Sequence, residues 1–344
     1  MKRKNLVEYK VKRSKHKSLC ESSTCDHKVK NIPKINMQND ILLSDLIKLG
    51  YLYNCQNFLS HNNINLKVLN RILPHLIELD EMIGLTNIKK QITSNILFLL
   101  RGLGGSACDE CEDCELGISC VTKPKEMFHT VIYGPPGVGK TIFAQILGKI
   151  YLGCGTLSSD SFMMVSRADL VSGYLGKTAK KTKKVIKKSL GGVLFIDEAY
   201  ALGNSHEIDA YSKECIDTLN LELSTQRDFI CIIAGYQKEL EDNFFKINPG
   251  LKRRFQFAYT MDIYTHDELY QILMKKISDE SWSVQNSNYL HTQIINFYEK
   301  FVNYGGDMER LFLFMKIAHG TNFNQTKLKC ISNIEIDSSI QQFL

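Results

Sequence analysis

No stretch of this sequence approaches the roughly twenty consecutive apolar residues that a membrane span requires. The longest candidate, Ile92 to Leu100, is interrupted by Thr93, Ser94 and Asn95. Met1 to Lys17 likewise lacks the apolar run of a secretory leader. Without such a leader, eleven cysteines, an odd number, speak for free thiols or metal rather than a disulfide framework. A soluble, intracellular protein with no membrane partner is therefore expected. Internal repeats and long low-complexity tracts are missing too, which excludes a repeat array.

What is present is an ordinary globular balance, with 44% hydrophobic and 23% charged residues in 344. The net charge of +6 is unevenly placed. Residues 1–30 carry ten Lys/Arg against three carboxylates, whereas the remaining 314 residues hold 33 basic and 34 acidic side chains. The basic character thus belongs to an arm, residues 1–34. Such an arm suits nucleic acid, an acidic protein or a membrane surface, and equally suits a solvated disordered tail.

Apolar residues recur at helical spacing from Asp40 to Leu79, broken near His61–Asn65, and predict a small helical segment over residues 35–78. A further helix is predicted from Asn87 to Leu100. Residues 102–126 are rich in Gly, Cys and acid and read as an inserted loop. Beyond them short apolar runs alternate with helical stretches. The strands are predicted at Phe128–Tyr133, Phe162–Val165, Val193–Ile196, Phe229–Ala234 and Phe255–Met261. The helices between them fall at Thr141–Tyr151, Thr178–Ser189 and Ala210–Ser224. This alternation predicts βαβ units, hence an α/β fold with a parallel sheet, over residues 79–262. Residues 263–344 read as a helical lid, with helices at His266–Ser278 and Tyr289–Tyr304.

The first of these strands runs into Gly134, Pro135, Pro136, Gly137, Val138, Gly139, Lys140 and Thr141, a full match to G-x-x-x-x-G-K-[ST] between a strand and a helix. Glycines there let the backbone wrap phosphates, and the N-terminus of the following helix adds positive potential. Lys140 is expected on the β- and γ-phosphates of ATP, and the Thr141 hydroxyl on Mg²⁺. The strand at 193–196 ends in Asp197 and Glu198. Asp197 is placed to hold the Mg²⁺ shell, and Glu198 to orient and deprotonate the attacking water.

These residues, with the run Ser166 to Thr178, the run Gly191 to Leu202, Ile233 to Tyr236, Asn248 to Arg254 and Leu79 to Leu85, resemble the CbbX/CfxQ-like group of AAA+ ATPases. That group includes red-type rubisco activases and the stage V sporulation protein K. The likeness covers roughly residues 75–320. It implies a P-loop AAA+ domain with a C-terminal helical lid, ATP hydrolysis, and assembly with copies of itself into a ring, a hexamer. It places Ile83 and Gly84 beside the adenine, and Tyr174, Leu175 and Gly176 on a pore loop that grips a polypeptide. Arg254, with Arg253 as the alternative, takes the place of an arginine finger acting on the neighbouring subunit. Tyr236 stands where many AAA+ proteins carry Asn or Thr. The lid motif Gly-Asn-Ala-Arg is Gly306-Asp-Met-Glu309 here, so Arg310 comes one residue late, a rotation of about 100° on a helix.

Two further features remain, of which the first, a cysteine cluster, falls outside this pattern. Cys108, Cys111, Cys114 and Cys120 form C-x2-C-x2-C-x5-C in the insert, where Zn²⁺, reduced thiols and an iron–sulfur cluster are all open. The Lys-rich stretch 177–188 reads as a solvated helix face more than as a phosphate-tracking surface. Remodelling or threading of a protein client is the leading expectation. A nucleic-acid-handling ATPase and a nucleotide-dependent assembly scaffold are the competitors.

Overall fold

A computed structural model describes residues 41–53, 60, 61, 63–103, 127–174, 176–203, 210–322 and 328–344. The basic arm, most of the insert with its four clustered cysteines, and Leu175 lie outside these residues. The chain opens with α1 (Leu43–Gly50), the two-residue strands β1 (Ser60–His61) and β2 (Ile64–Asn65), α2 (Leu66–Asp80) and α3 (Thr86–Leu100). Then come β3 (Thr130–Tyr133), α4 (Lys140–Gly153), β4 (Phe162–Val165), α5 (Arg167–Leu170), α6 (Thr178–Ser189) and β5 (Val193–Ile196). They are followed by α7 (Ala210–Thr225), β6 (Ile230–Gly235), a π-helical turn at Leu240–Phe245, α8 (Pro249–Lys252) and β7 (Phe257–Thr260). The last part holds α9 (His266–Asp279), β8 (Ser283–Val284), α10 (Ser287–Asn296), α11 (Gly305–Thr321), β9 (Cys330–Ile331) and α12 (Asn333–Phe343).

Five strands form one parallel sheet in the order β4-β5-β6-β3-β7. The three inner strands β3, β5 and β6 are covered on both faces, so they read as nearly continuous apolar runs, while the edge strands β4 and β7 are partly exposed. Alternate residues feed two cores. Ile132, Phe195, Ile232 and Ala234 face the core shared with α2, α3, α4 and the C-terminal helices. Val131, Leu194, Ile196 and Ile233 face the core shared with α6 and α7. The first core joins the N-terminal helices, the sheet and the lid without a break. Helices α2 and α4 approach so closely that a Cβ at Gly153 would stand 2.4 Å from the Ile72 side chain.

The strand order reverses between β3 and β6, and such a switch point leaves a crevice at the carboxyl ends of the strands. The phosphate loop follows β3 directly into it.

Two sequence expectations change in the C-terminal region. The helix predicted over Tyr289–Tyr304 ends at Asn296, and a 3₁₀ turn (Tyr298–Lys300) leads to Tyr304 at φ 46°. The chain turns there because Asn303 and Gly305 dock their backbones on Gly137, and buried Asp307 accepts from the Asn303 N–H at 2.7 Å. The region also holds the parallel pair β8 and β9, which two-residue strands made invisible to periodicity.

Candidate functional site

The loop after β3 takes its shape from two glycines in the left-handed region, Gly137 at φ 74° and Gly139 at φ 90°. This turn aims the first N–H groups of α4 into a cleft of about 720 Å³. Residues Pro136 to Thr141 line the cleft. Gly134 and Pro135 do not. Their carbonyls instead accept from the Lys140 ammonium at 3.0 and 2.8 Å. Burial lowers the Lys140 pKa, and the charges of Glu198 and Asp197 oppose that shift.

Opposite Lys140 stand the carboxylates at the end of β5. The Thr141 hydroxyl donates to Asp197 Oδ2 at 3.4 Å, a loose contact, and Asp197 Oδ1 accepts from the Glu198 N–H at 3.0 Å. Glu198 sits at φ 49°, a costly conformation for a residue with a side chain. Its Oε2 is buried and has no hydrogen-bond partner. Burial raises its pKa, Lys140 opposes this and Asp197 reinforces it. A carboxylate with a free, desolvated oxygen is equipped to take a proton from water. The ring of Tyr236, at the end of β6, lies 5.7 Å from the Lys140 ammonium and 5.9 Å from the Tyr200 ring.

The Thr141 hydroxyl and the Asp197 carboxylate are hard oxygen donors facing one cleft, and this is the donor set of a partly hydrated Mg²⁺. The residues present therefore fit that ion. The cleft also carries an apolar lining, with Met82, Ile83, Val138 and Ile272 beside Tyr264. A flat base and a charged polyphosphate are matched by this combination.

Ile83 lines the cleft, but Gly84 does not. Gly84 turns the chain at φ 71°, where a Cβ would stand 2.6 Å from Glu268 Oε1. Arg310 departs from its expected place. The cleft is lined by Glu309, whereas the Arg310 guanidinium lies over the rings of Phe314 and Phe343 at 5.2 and 5.0 Å. The one-residue offset turns Arg310 to the other side of α11. Glu309 itself is paired with Lys276 of α9.

Arg253 and Arg254 follow α8, both exposed, and neither lines the cleft. Tyr174 is 70% exposed on the loop between α5 and α6, its ring 4.9 Å from the Lys177 ammonium. Gly176 follows at φ 71° in open space. Of the lysines of α6, Lys181 donates to the carbonyls of Ala168 and Val171, and Lys183 pairs with Glu222. Two contacts escaped the sequence altogether. The Tyr264 hydroxyl donates to the Val138 carbonyl at 2.9 Å, and Gly305 N–H donates to the Gly137 carbonyl at 3.1 Å. Both span more than a hundred residues, and no local pattern signals them.

The family model for the ATPase family associated with various cellular activities (AAA) matches residues 130–263. A cfxQ-like protein of Acanthamoeba polyphaga mimivirus is 36% identical over 338 residues, 94% of this chain and 79% of that protein. The chain belongs to the CfxQ-like group of AAA+ ATPases. Stage V sporulation protein K of Bacillus subtilis is 42% identical over 161 residues, covering 46% of this chain and 49% of that protein. The ESX-3 secretion system protein EccA3 of Mycobacterium tuberculosis is 36% identical over 216 residues, 62% of this chain. The match spans only 32% of that longer protein. Among solved structures the AAA domain of FIGL-1 in complex with ADP superposes with a TM-score of 0.51 at 17% identity, covering 77% of this chain and 83% of that one. A variant of Thermotoga maritima RuvB reaches 0.50 at 17% identity, with 77% and 71% covered. At such identity these two establish the AAA+ fold and no more. Family membership carries nucleotide binding and ATPase activity in general terms, and no helix among the described residues is long and apolar enough to cross a membrane.

Proposed function

We propose that this CfxQ-like ATPase works as a ring, a hexamer, and couples ATP hydrolysis to remodelling or threading of a protein client. The observation that carries the reading is a division of labour. Lys140, Thr141, Asp197 and Glu198 converge on one cleft, while Arg253 and Arg254 are exposed outside it. The cleft is lined by lysines but by no arginine among the described residues, and an arginine exposed outside its own cleft is free to act on a neighbour's.

In this reading the backbone from Pro136 to Gly139 and the start of α4 hold the phosphates of ATP, with Gly134 and Pro135 shaping the turn behind them. Ile83 packs on the base. Lys140 exchanges the carbonyls of Gly134 and Pro135 for phosphate oxygens. Thr141 and Asp197 hold Mg²⁺, which neutralises charge on the phosphates when bound. Glu198 aligns a water and takes its proton as the oxygen attacks. Arg254 of the adjacent subunit stabilises the charge that develops. Tyr174, with Leu175 and Gly176, meets the client on the channel side. An exposed aromatic ring suits that task because it grips by bulk rather than by sequence. The unit that does this extends from Leu79 to Asp262, with residues 263–344 as the lid.

The test is steady-state ATP hydrolysis as a function of protein concentration, for wild type, Glu198→Gln and Arg254→Ala in parallel. Turnover per subunit is expected to rise with concentration and to fall at least 100-fold in each variant. A rate flat in concentration and indifferent to Arg254 sinks the shared site. Stimulation by DNA or RNA that collapses as salt rises would favour nucleic-acid handling instead. Nucleotide-dependent assembly with no rate for Glu198→Gln to change would favour a scaffold.

A further inference from the structure

Three side chains with metal-ligating chemistry meet at the base of the lid, outside the nucleotide cleft. His266 and Asp267 open α9, and His291 lies on α10. One donor atom from each lies within 4.8 Å of the other two. His291 Nε2 stands 2.7 Å from Asp267 Oδ1, and His266 Nδ1 stands 3.2 Å from the same oxygen. Two donors about 2.1 Å from one ion in tetrahedral array are about 3.4 Å apart, so the three atoms need only small shifts to share an ion.

A plain hydrogen bond between His291 and Asp267 explains two of the three groups. It does not explain His266. Its Nδ1 is buried 3.2 Å from Asp267 Oδ1 without completing a well-formed hydrogen bond. Two imidazole nitrogens thus converge on one carboxylate oxygen, an arrangement that a shared cation would also satisfy. The rings are also held. His291 packs on Tyr270 with centroids 4.5 Å apart, and His266 meets the Tyr298 ring edge to face at 6.2 Å. The first turn of α9 is capped by Thr265 and Glu268, so neither His266 nor Asp267 is needed for capping.

We propose that His266, Asp267 and His291 form a binding site for one divalent transition-metal ion, Zn²⁺ being the best match. Two neutral imidazoles and one carboxylate suit that ion, with water completing the shell. The carboxylate is half-exposed, which gives the ion a path in and leaves the open positions facing solvent. Binding displaces the proton that His291 shares with Asp267. The ion then ties the start of α9 to α10. From there Tyr298 donates to the Tyr264 carbonyl and Tyr264 donates to Val138 in the phosphate loop, so the staple sits at the root of the lid.

The test uses the full chain, stripped with a chelator and dialysed, then titrated with Zn²⁺ by calorimetry and with Co²⁺ by absorption. Wild type is compared with His291→Ala and Asp267→Asn, two surface changes on different elements. Wild type is expected to take up one more equivalent than either variant at micromolar concentration. The extra Co²⁺ equivalent should show d–d bands without thiolate charge transfer, which separates it from any ion held by cysteines. Zn²⁺ should raise the melting temperature of wild type more than that of either variant. Equal stoichiometry in all three proteins, or a difference seen only at millimolar metal, overturns the proposal.

Discussion

The carbonyl of Asn303 occupies the place that a side chain at Gly137 would need. A Cβ at 137 would lie 1.8 Å from that oxygen, and φ 74° already disfavours any residue but glycine. Two residues on, the Gly305 N–H donates to the Gly137 carbonyl. The phosphate loop and the lid thus meet backbone against backbone.

Gly137→Ala is accordingly expected to disturb two things at once. The loop must shift to relieve the clash, which weakens nucleotide binding at least tenfold. The lid loses its seat, which lowers the melting temperature by several degrees even without nucleotide. Calorimetric affinity for ATP and a thermal melt of the nucleotide-free protein check the two arms. A melt unchanged from wild type would mean that the lid does not depend on this contact.

Arg310→Ala should behave as a packing mutation. Its guanidinium lies over Phe314 and Phe343, and such contacts are worth about 1 kcal/mol. The expected result is a small fall in melting temperature with nucleotide affinity within about twofold of wild type. A tenfold loss of affinity for ATP would instead place Arg310 at the nucleotide.

His129 predicts a pH dependence. It is fully buried before β3, and its Nδ1 accepts from the Cys231 N–H at 3.0 Å, which fixes the neutral ring with its proton on Nε2. Burial pushes its pKa from 6.5 down to about 4. Between those values the unfolded chain binds the proton and the folded chain does not. The contribution is therefore complete above about pH 6.5 and is lost as pH falls toward 4. It amounts to about 3 kcal/mol in all. His129→Asn keeps an acceptor and removes the titration. The difference in unfolding free energy between variant and wild type should shift by about 2.5 kcal/mol, most of that amount, between pH 7 and pH 4.5. Parallel pH profiles would rule the assignment out.

Tyr174→Ala separates hydrolysis from work on a client. The ring touches only Lys177 among the aromatic and cationic contacts of the described residues, and it stands away from the cleft. Basal turnover should stay within about twofold, while stimulation by a permanently unfolded model polypeptide should disappear. Retained stimulation would remove Tyr174 from the client path.

Much of the architecture was legible because its signals are local. The strands at Phe162–Val165 and Val193–Ile196 and the helix Thr178–Ser189 fall where the apolar runs and periodicity put them. Val193–Ile196, buried on both faces of the parallel sheet, announces itself as an unbroken apolar run. The phosphate loop is legible for the same reason, since its glycines, Lys140 and Thr141 are contiguous. The segment after Asn296 was not. Its composition suits a helix, but helix propensity is weaker than the docking of Asn303 and Gly305 on Gly137.

The sequence by itself determined the class of the protein: a P-loop α/β domain with a helical C-terminal region, and the residues able to bind and split ATP. Those features are written in neighbouring residues and in periods of two and 3.6. Only the tertiary structure decided which way each side chain points once the elements pack. It turned Arg310 onto Phe314 and Phe343, set Glu309 into the cleft, left Glu198 Oε2 buried without a partner, and brought His291 to Asp267 across 24 residues. Each residue turns a helical side chain by about 100°, and contacts across the chain depend on how whole elements settle against one another. No local pattern carries that information.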